Sequence, residues 1–314
     1  MKAFALDRFG EPGTVREVPV PEPEPGEVRI RVAAAGLNPF DNAVISGAMK
    51  DRMEHLFPLI PGSDASGVVE AVGDDVSGFS TGDEVFGSAG KRVLGRGTLA
   101  GSVTMSTGTI ARKPGSLDHP VAAAIPVAGV TALVMVESLD LEEGQVVVAF
   151  GTTGGVGSYF VQLASREGAE VVAVCSEQNA GYARSLGASE VIDYSSADVA
   201  QELGSRHPDG IDAVADIHGG KDQLSRLAEL VREGGSVASC VGSADVDGLV
   251  ARGIAATNVF GAVTTERLEE LAAMFETKDL VAPQIRTFPL TGSAEAFELL
   301  ATGHVRGKLV VLPS

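Results

Sequence analysis

Gly144-Gln-Val-Val-Val-Ala-Phe-Gly-Thr-Thr-Gly-Gly-Val-Gly-Ser-Tyr-Phe-Val-Gln-Leu-Ala-Ser-Arg-Glu-Gly-Ala-Glu-Val-Val-Ala-Val-Cys-Ser176 decides the fold. Val146 to Phe150 is apolar at every position, as in a parallel strand covered on both faces. Gly151-Thr-Thr-Gly154-Gly155-Val-Gly157 follows directly, and Phe160, Val161, Leu163 and Ala164 then recur at helical spacing. Gly168 suits the end of that helix, and Val171 to Val174 is a second buried strand. Strand, glycine turn, helix and strand together predict one βαβ unit. Its glycines let the chain bend sharply, admit a diphosphate against bare backbone, and let helix and strand pack closely. The free N–H groups and positive dipole end of the helix would hold the diphosphate. Thr153, Gly154, Gly155 and Val156 are the candidate cradle.

The end of the second strand bears on which dinucleotide is bound. An NAD site usually has Asp or Glu there, bonding the ribose 2′-hydroxyl. Here the strand-end residue is Ser176, which can donate to a 2′-phosphate without repelling it. Gln178, Arg184 and Tyr194 are nearby donors, so the balance favours NADPH. Glu177 is the competing feature, because it could reach back to an unphosphorylated ribose.

Around this unit lies an ordinary globular composition: 314 residues, 44% of them hydrophobic, enough for two domains. The formal net charge of −18 disfavours nucleic acid, anionic membranes and other polyanions as partners. No apolar run has the length of a membrane span, and the N-terminus is charged too early for a signal peptide, which implies a cytoplasmic setting. Cys175 and Cys240 stand far apart in apolar stretches and form no disulfide framework or thiolate cluster. The five histidines show no metal-ligand spacing.

Residues 1–120 predict an all-β region. Val28, Ile30 and Val32 alternate with arginines, Ala65 to Val72 is an apolar strand, and Glu84-Val-Phe86 follows the Gly82-Asp83 turn. Short strands punctuated by Gly and Pro suggest a small barrel. From His119 the texture changes, and Val121 to Val136 reads as one or two buried helices, with Thr131 in the second. After the glycine unit, helices are predicted at Asn179–Leu186, near Ala197–Leu203, at Gln223–Val231 and at Thr265–Phe275. Strands are predicted at Val191-Ile192, Ile211–Ile217, Ser236–Val241 and near Thr257–Phe260. This alternation predicts a parallel doubly wound sheet. A strand at Gln284–Phe288, a helix at Ser293–Leu300 capped by Ser293 or Thr291, and a strand at Lys308–Leu312 complete the chain. The tail is expected to return to the first domain, because the doubly wound sheet is already complete.

The chain resembles the zinc-independent medium-chain dehydrogenase/reductases, in the quinone oxidoreductase and zeta-crystallin branch. The landmarks are Gly36-Leu-Asn38-Pro39-Phe-Asp41, Pro61-Gly62-Ser-Asp64-Ala-Ser-Gly67, Phe79-Ser-Thr-Gly82-Asp83, Gly129-Val-Thr131-Ala132, Gly154-Gly-Val-Gly157 and Gly303-His304-Val-Arg-Gly307-Lys308. The resemblance implies a GroES-like β-barrel domain over 1–120 with 284–314, a Rossmann domain over 121–283, NADPH as cofactor and a homodimer. Zinc-using relatives carry a cysteine near Asn38 and a His-Glu pair near Ser63-Asp64. Their absence here implies no catalytic zinc. The chain departs from the family at Gly97–Val103, where usual tyrosines and a glutamate are missing, at Gln178, where relatives often carry a basic residue, and at His218, where a small apolar residue is usual.

Without a metal, the protein supplies orientation and polarisation while the cofactor supplies the hydride. Addition of hydride to the β-carbon of a quinone or enone puts charge on the carbonyl oxygen, which calls for a hydrogen-bond donor. Asn38 is the catalytic candidate, and capping of the turn before Pro39 is its alternative role. Asp41 is read as a brace for that loop. The resemblance adds Asn38, Thr131, Ser176, Gln178, Tyr194, Gly242 and Lys308 as cofactor contacts. Phe40, Met53, Leu56 and Phe260 are candidates for an apolar substrate pocket. The expected activity is NADPH-dependent reduction of a quinone or α,β-unsaturated carbonyl, with the enolate protonated by water. A pathway-dedicated enoyl reductase, a non-redox cyclase and a weakly catalytic NADPH-binding protein are the alternatives on the same fold.

Overall fold

The computed structural model describes residues 1–90 and 93–313. The chain falls into two compact units, Met1–Val130 with Val263–Ser314, and Thr131–Ala262. The divisions therefore lie after 130 and after 262, where the sequence placed them after 120 and after 283.

The second unit is a six-stranded parallel sheet. Its strands run, edge to edge, Glu190–Asp193, Glu170–Cys175, Val146–Phe150, Ile211–Asp216, Val231–Ser239 and Ala255–Asn258. Numbered along the chain that order is 3-2-1-4-5-6, the Rossmann arrangement. The apolar runs that announced these strands are buried on both faces, with Val147, Val148, Val171, Val172, Ala213 and Val214 at zero exposure. The chain reverses its direction of travel between Val146–Phe150 and Ile211–Asp216. Such a switch point, at the carboxyl ends of the strands, is where doubly wound sheets bind ligands.

The first unit is built on a seven-stranded sheet whose central strand is Glu27–Gly36. That strand pairs with Asp64–Val72, with Ser102–Ser106 and with Lys308–Leu312, all antiparallel. The alternation of Val28, Ile30 and Val32 with Arg29 and Arg31 follows from this position, since one face turns into the core and the other meets Glu22 and Glu70. Ile285–Pro289 pairs in parallel with Lys308–Leu312, so both tail strands belong to this sheet.

Several elements here carried no signal in the sequence. Pro39–Ser46 is a helix, and Glu54–Ile60 and Val93–Arg96 form a two-stranded sheet. The helix is short, and its proline sits at the first helical position, where a missing N–H costs nothing. Elsewhere the helix expected to end at Val231 spans Lys221–Ala228, and Val231 instead opens the next strand. The cap expected at Ser293 or Thr291 is not made. Gly292 is the N-cap without a side-chain bond, and the Ser293 hydroxyl donates to the Leu290 carbonyl at 2.7 Å. Helix Thr265–Glu276 lies with the first unit, its Thr265 hydroxyl placed 2.9 Å from the carbonyls of both Thr107 and Ile110.

Candidate functional site

Two groups of candidate residues are assembled, one in each unit. In the second unit, helix Gly155–Arg166 starts directly after the glycine turn. Its N-cap is Gly154, which has no side chain to spend on the first helical N–H groups. Those donors stay available, together with the positive end of the helix dipole. A Cβ on Gly157 would collide with the Gly151 carbonyl, so the helix can approach the turn this closely only with glycine there. A turn of bare backbone under an uncapped twelve-residue helix fits a diphosphate.

Further residues gather at the same sheet edge. The exposed His218 side chain lies against Gly151, whose φ is +70°. Buried Asp216, paired across the sheet with Phe150, accepts from the N–H of Gly219 at 2.7 Å and the Ser239 hydroxyl at 2.9 Å. Ser239 in turn accepts from the N–H groups of Val241 and Ser243, which fixes the loop carrying Gly242. No feature of the sequence singled out Asp216 or Ser239; their role follows from sheet order alone. Thr131 is 8% exposed and underlies the loop that holds Phe260, because a Cβ on Gly261 would collide with its hydroxyl. Phe260 itself is 88% exposed.

At the end of strand Glu170–Cys175, Ser176 is the N-cap of helix Glu177–Ser185 and makes no side-chain cap bond. Its hydroxyl accepts from Asn179 Nδ2 at 3.2 Å. Cys175 pairs with Asp193 across the sheet, which brings exposed Tyr194 to the same edge as Ser176 and the exposed Gln178. The Asp193 carboxylate is turned into its own loop, where it accepts from the Ser195 hydroxyl and N–H at 2.7 and 2.9 Å. The Ser195 hydroxyl is the main influence holding it below the usual carboxylate range. The backbone N–H of Glu177, next to Ser176, also holds it down, so this carboxylate lies at the edge that Ser176 presents.

In the first unit, Asn38, Asp41, Asp64 and Lys308 form a cluster of polar groups, none more than 4% exposed. Topology brings them together. The backbone N–H of Leu37 donates to the Leu309 carbonyl at 2.9 Å, so the last strand lies beside the end of the central one and delivers Lys308 from 270 residues away. Lys308 Nζ donates to the Leu37 carbonyl at 2.8 Å and to Asn38 Oδ1 at 2.7 Å. Asn38 Nδ2 donates to Asp64 Oδ2 at 2.9 Å, an oxygen that also accepts from the Val127 N–H at 3.1 Å. Asp41 is a brace, as expected: its two oxygens accept from the Asn38 N–H and the Ser63 hydroxyl, each at 2.8 Å.

Asn38 occupies the N-cap of Pro39–Ser46, but its amide is committed to Lys308 and Asp64 rather than to the helix. Desolvation is the leading influence on all three charged groups. It pushes Asp41 up to about 7 and raises Asp64, with Lys308 opposing in both cases, and it lowers Lys308 against the attraction of the two aspartates. Asp64 and Ser63 were visible in sequence only as a motif; the contacts of Asp64 with Asn38 and of Ser63 with Asp41 are tertiary.

The apolar candidates are less closely joined. Phe40 and Leu56 are exposed at 36% and 43%, and Met53 packs at the edge of the barrel core. Met53 and Leu56 line one open depression of about 580 Å³, which includes neither Phe40 nor Asn38.

Comparison with known proteins covers the whole chain. Residues 24–115 match the family model described as alcohol dehydrogenase GroES-like domain, and residues 186–311 match the one described as zinc-binding dehydrogenase. The chain is 31% identical to the mitochondrial NAD(P)H oxidoreductase of Bos taurus, over 99% of its own length and 89% of that protein. It is 32% identical to the 2-methylene-furan-3-one reductase of Solanum lycopersicum, over 100% of its length and 79% of the relative. The solved structure of the quinone oxidoreductase from Coxiella burnetii matches with a TM-score of 0.89 at 31% identity, covering 100% of this chain and 99% of that one.

One family description names zinc, so the donor set at Asn38 bears on whether the ion fits. Among the described residues, no group of three or more His, Cys, Asp or Glu side chains could hold a metal ion. The Asn38 side-chain oxygen, Oδ1, is already taken by the Lys308 head. A dication placed beside that buried ammonium would be repelled, so the residues present do not fit zinc.

Proposed function

Because the chain belongs to the medium-chain dehydrogenase/reductase family, in its quinone oxidoreductase branch, we propose that it reduces a quinone or an α,β-unsaturated carbonyl at the expense of NADPH, without zinc. The observation that carries this reading is the buried Asn38 amide. Its oxygen is spent on Lys308 and one N–H on Asp64, which leaves one N–H to donate.

The bound nicotinamide would supply a hydride. The N–H groups of Gly155 and Val156 and the dipole of their helix hold the diphosphate. Ser176, Tyr194 and Gln178 hold the ribose 2′-phosphate at the neighbouring strand end. Thr131 and the Gly242 loop orient the nicotinamide half. Asn38 donates its remaining N–H to the substrate carbonyl, where negative charge grows as the β-carbon is reduced. Such a donor contributes on the order of 10²-fold to turnover. The enolate takes its proton from water. Lys308, the other cofactor candidate, spends its head group on Leu37 and Asn38 instead. We also propose a homodimer, joined through Ala255–Asn258, one of the two edge strands of the parallel sheet.

The test is NADPH oxidation over a panel of quinones and enones, with dissociation constants for NADPH and NADH alongside. Turnover of panel members with tighter NADPH binding is the expected result. Tight NADPH binding without turnover would move the protein to a dedicated enoyl reductase, a cyclase or a nucleotide-binding role.

A further inference from the structure

A side-chain amide has two orientations of nearly equal shape, and a catalytic donor is useful in only one of them. At Asn38 the choice is made by its neighbours. Lys308 Nζ sits 2.7 Å from Oδ1, and an ammonium has three N–H groups and nothing that accepts. Its other partner is the Leu37 carbonyl at 2.8 Å, a group that can only accept. On the opposite side, Asp64 Oδ2 already accepts from the Val127 N–H and receives Asn38 Nδ2 at 2.9 Å. Turning the amide over would set its NH2 against the ammonium and its oxygen against the carboxylate, replacing two charge-assisted bonds by two repulsions. The backbone of Asn38 is held as well, by its N–H bond to Asp41.

We propose that Lys308 is a positioning residue for hydride transfer: its head group locks the Asn38 amide with the oxygen inward and the free Nδ2–H presented to the substrate carbonyl. This rests on the reading of Asn38 as the donor in that reaction. It also accounts for a lysine buried at the first residue of a strand, with no role in the barrel's apolar packing. Lys308 and Asp64 enclose the amide from opposite sides, and neither needs to touch the substrate.

The experiment compares wild-type protein with Asn38→Ala, Lys308→Met, the charge-balanced pair Lys308→Met/Asp64→Asn, and the triple variant that adds Asn38→Ala to that pair. The pair guards against a misfolded single variant, because it removes the ammonium and its buried counter-charge together. Melting temperature and the NADPH dissociation constant establish that each variant is folded and binds cofactor. Turnover of the best enone from the panel is then measured, with kcat and KM separated. The expected result is that the pair keeps wild-type cofactor affinity but loses kcat on the order of 10²-fold, as Asn38→Ala does, and that adding Asn38→Ala costs little more. A pair with wild-type kcat would overturn the proposal. So would a triple variant whose loss is the product of the separate losses, since Lys308 would then act independently of Asn38.

Side-chain amide signals of 15N-labelled protein read the orientation without turnover. One sharp Asn38 NH2 pair is expected in wild type, broadened or doubled in the Lys308→Met/Asp64→Asn protein; an unchanged pair overturns the lock. A wild-type protein that reduces nothing in the panel would count against the proposed activity, and this last measurement would still decide the role of Lys308.

Discussion

Replacing Asp41 by Asn should make the protein's stability less sensitive to pH, in a direction and by an amount that follow from the site. Asp41 is 1% exposed, and burial pushes its carboxyl from an ordinary 3.8 up to about 7. The folded state therefore holds the proton more tightly than the unfolded chain. Stability contributed by the neutral form is fully present below pH 3.8 and is lost as pH rises through 7. A separation of roughly three pH units corresponds to about 4 kcal/mol, of which about 1.5 kcal/mol is already gone at pH 5. Asn at this position cannot titrate, yet it keeps both contacts. Its amide oxygen can accept from the Asn38 N–H, and its NH2 can donate to the Ser63 hydroxyl, which accepts as readily as it donates. The variant should thus exceed wild type in stability by a margin that grows by about 2–3 kcal/mol between pH 5 and pH 8. Urea denaturation of both proteins at the two pH values gives that margin from the midpoints, provided the m-values agree. A margin that is the same at both pH values, or that shrinks as pH rises, would refute the assignment of a buried, proton-retaining carboxyl at position 41.

Three further outcomes follow. Ser176→Asp should weaken NADPH binding by tenfold or more while sparing NADH, because a carboxylate at the strand end repels a 2′-phosphate and bonds a free 2′-hydroxyl; titration of nucleotide fluorescence reads both constants. Gly157→Ala should abolish binding of either nucleotide, since the new methyl must displace the Gly151 carbonyl and with it the cradle; a thermal melt separates this from general unfolding. Asn38→Ala should lower kcat on the order of 10²-fold with little change in the NADPH dissociation constant, as removal of a donor used in the transition state requires.

What could be read from the sequence and what could not divide along a physical line. The parallel sheet was legible because each of its strands carries its own evidence. Val146–Phe150 and Val171–Val174 are apolar runs that no solvent-facing element would contain, and the glycines between them serve a tight, close-packed turn. Local signals of that kind need no partner to be interpreted. Strand Glu54–Ile60 has none. Five of its seven residues are exposed, so its composition resembles a loop, and only pairing with Val93–Arg96 makes it a strand. Helix Pro39–Ser46 is similar, being too short to develop a periodicity of its own.

The Asn38 cluster lies further still from the sequence, because its members are chosen by tertiary contact. Asn38 could be nominated from its motif, since an amide that stands where a cysteine ligand would be suggests a donor. Its partners could not. Lys308 was expected as a cofactor contact, and nothing in Lys-Leu-Val-Val-Leu shows that it is 4% exposed and bonded to Asn38. Asp64 likewise appeared only as one residue of a family motif, although it begins a strand and has zero exposure. Burying an ammonium and two carboxyl groups this deeply would be costly if each stood alone. What makes the arrangement tenable is that each carboxyl accepts from at least two donors and the ammonium donates to two oxygens. An apolar cluster of the same volume would serve stability at least as well. Retention of the polar one is understandable if its product is an amide held in a single orientation, and that is a property of the site rather than of the fold.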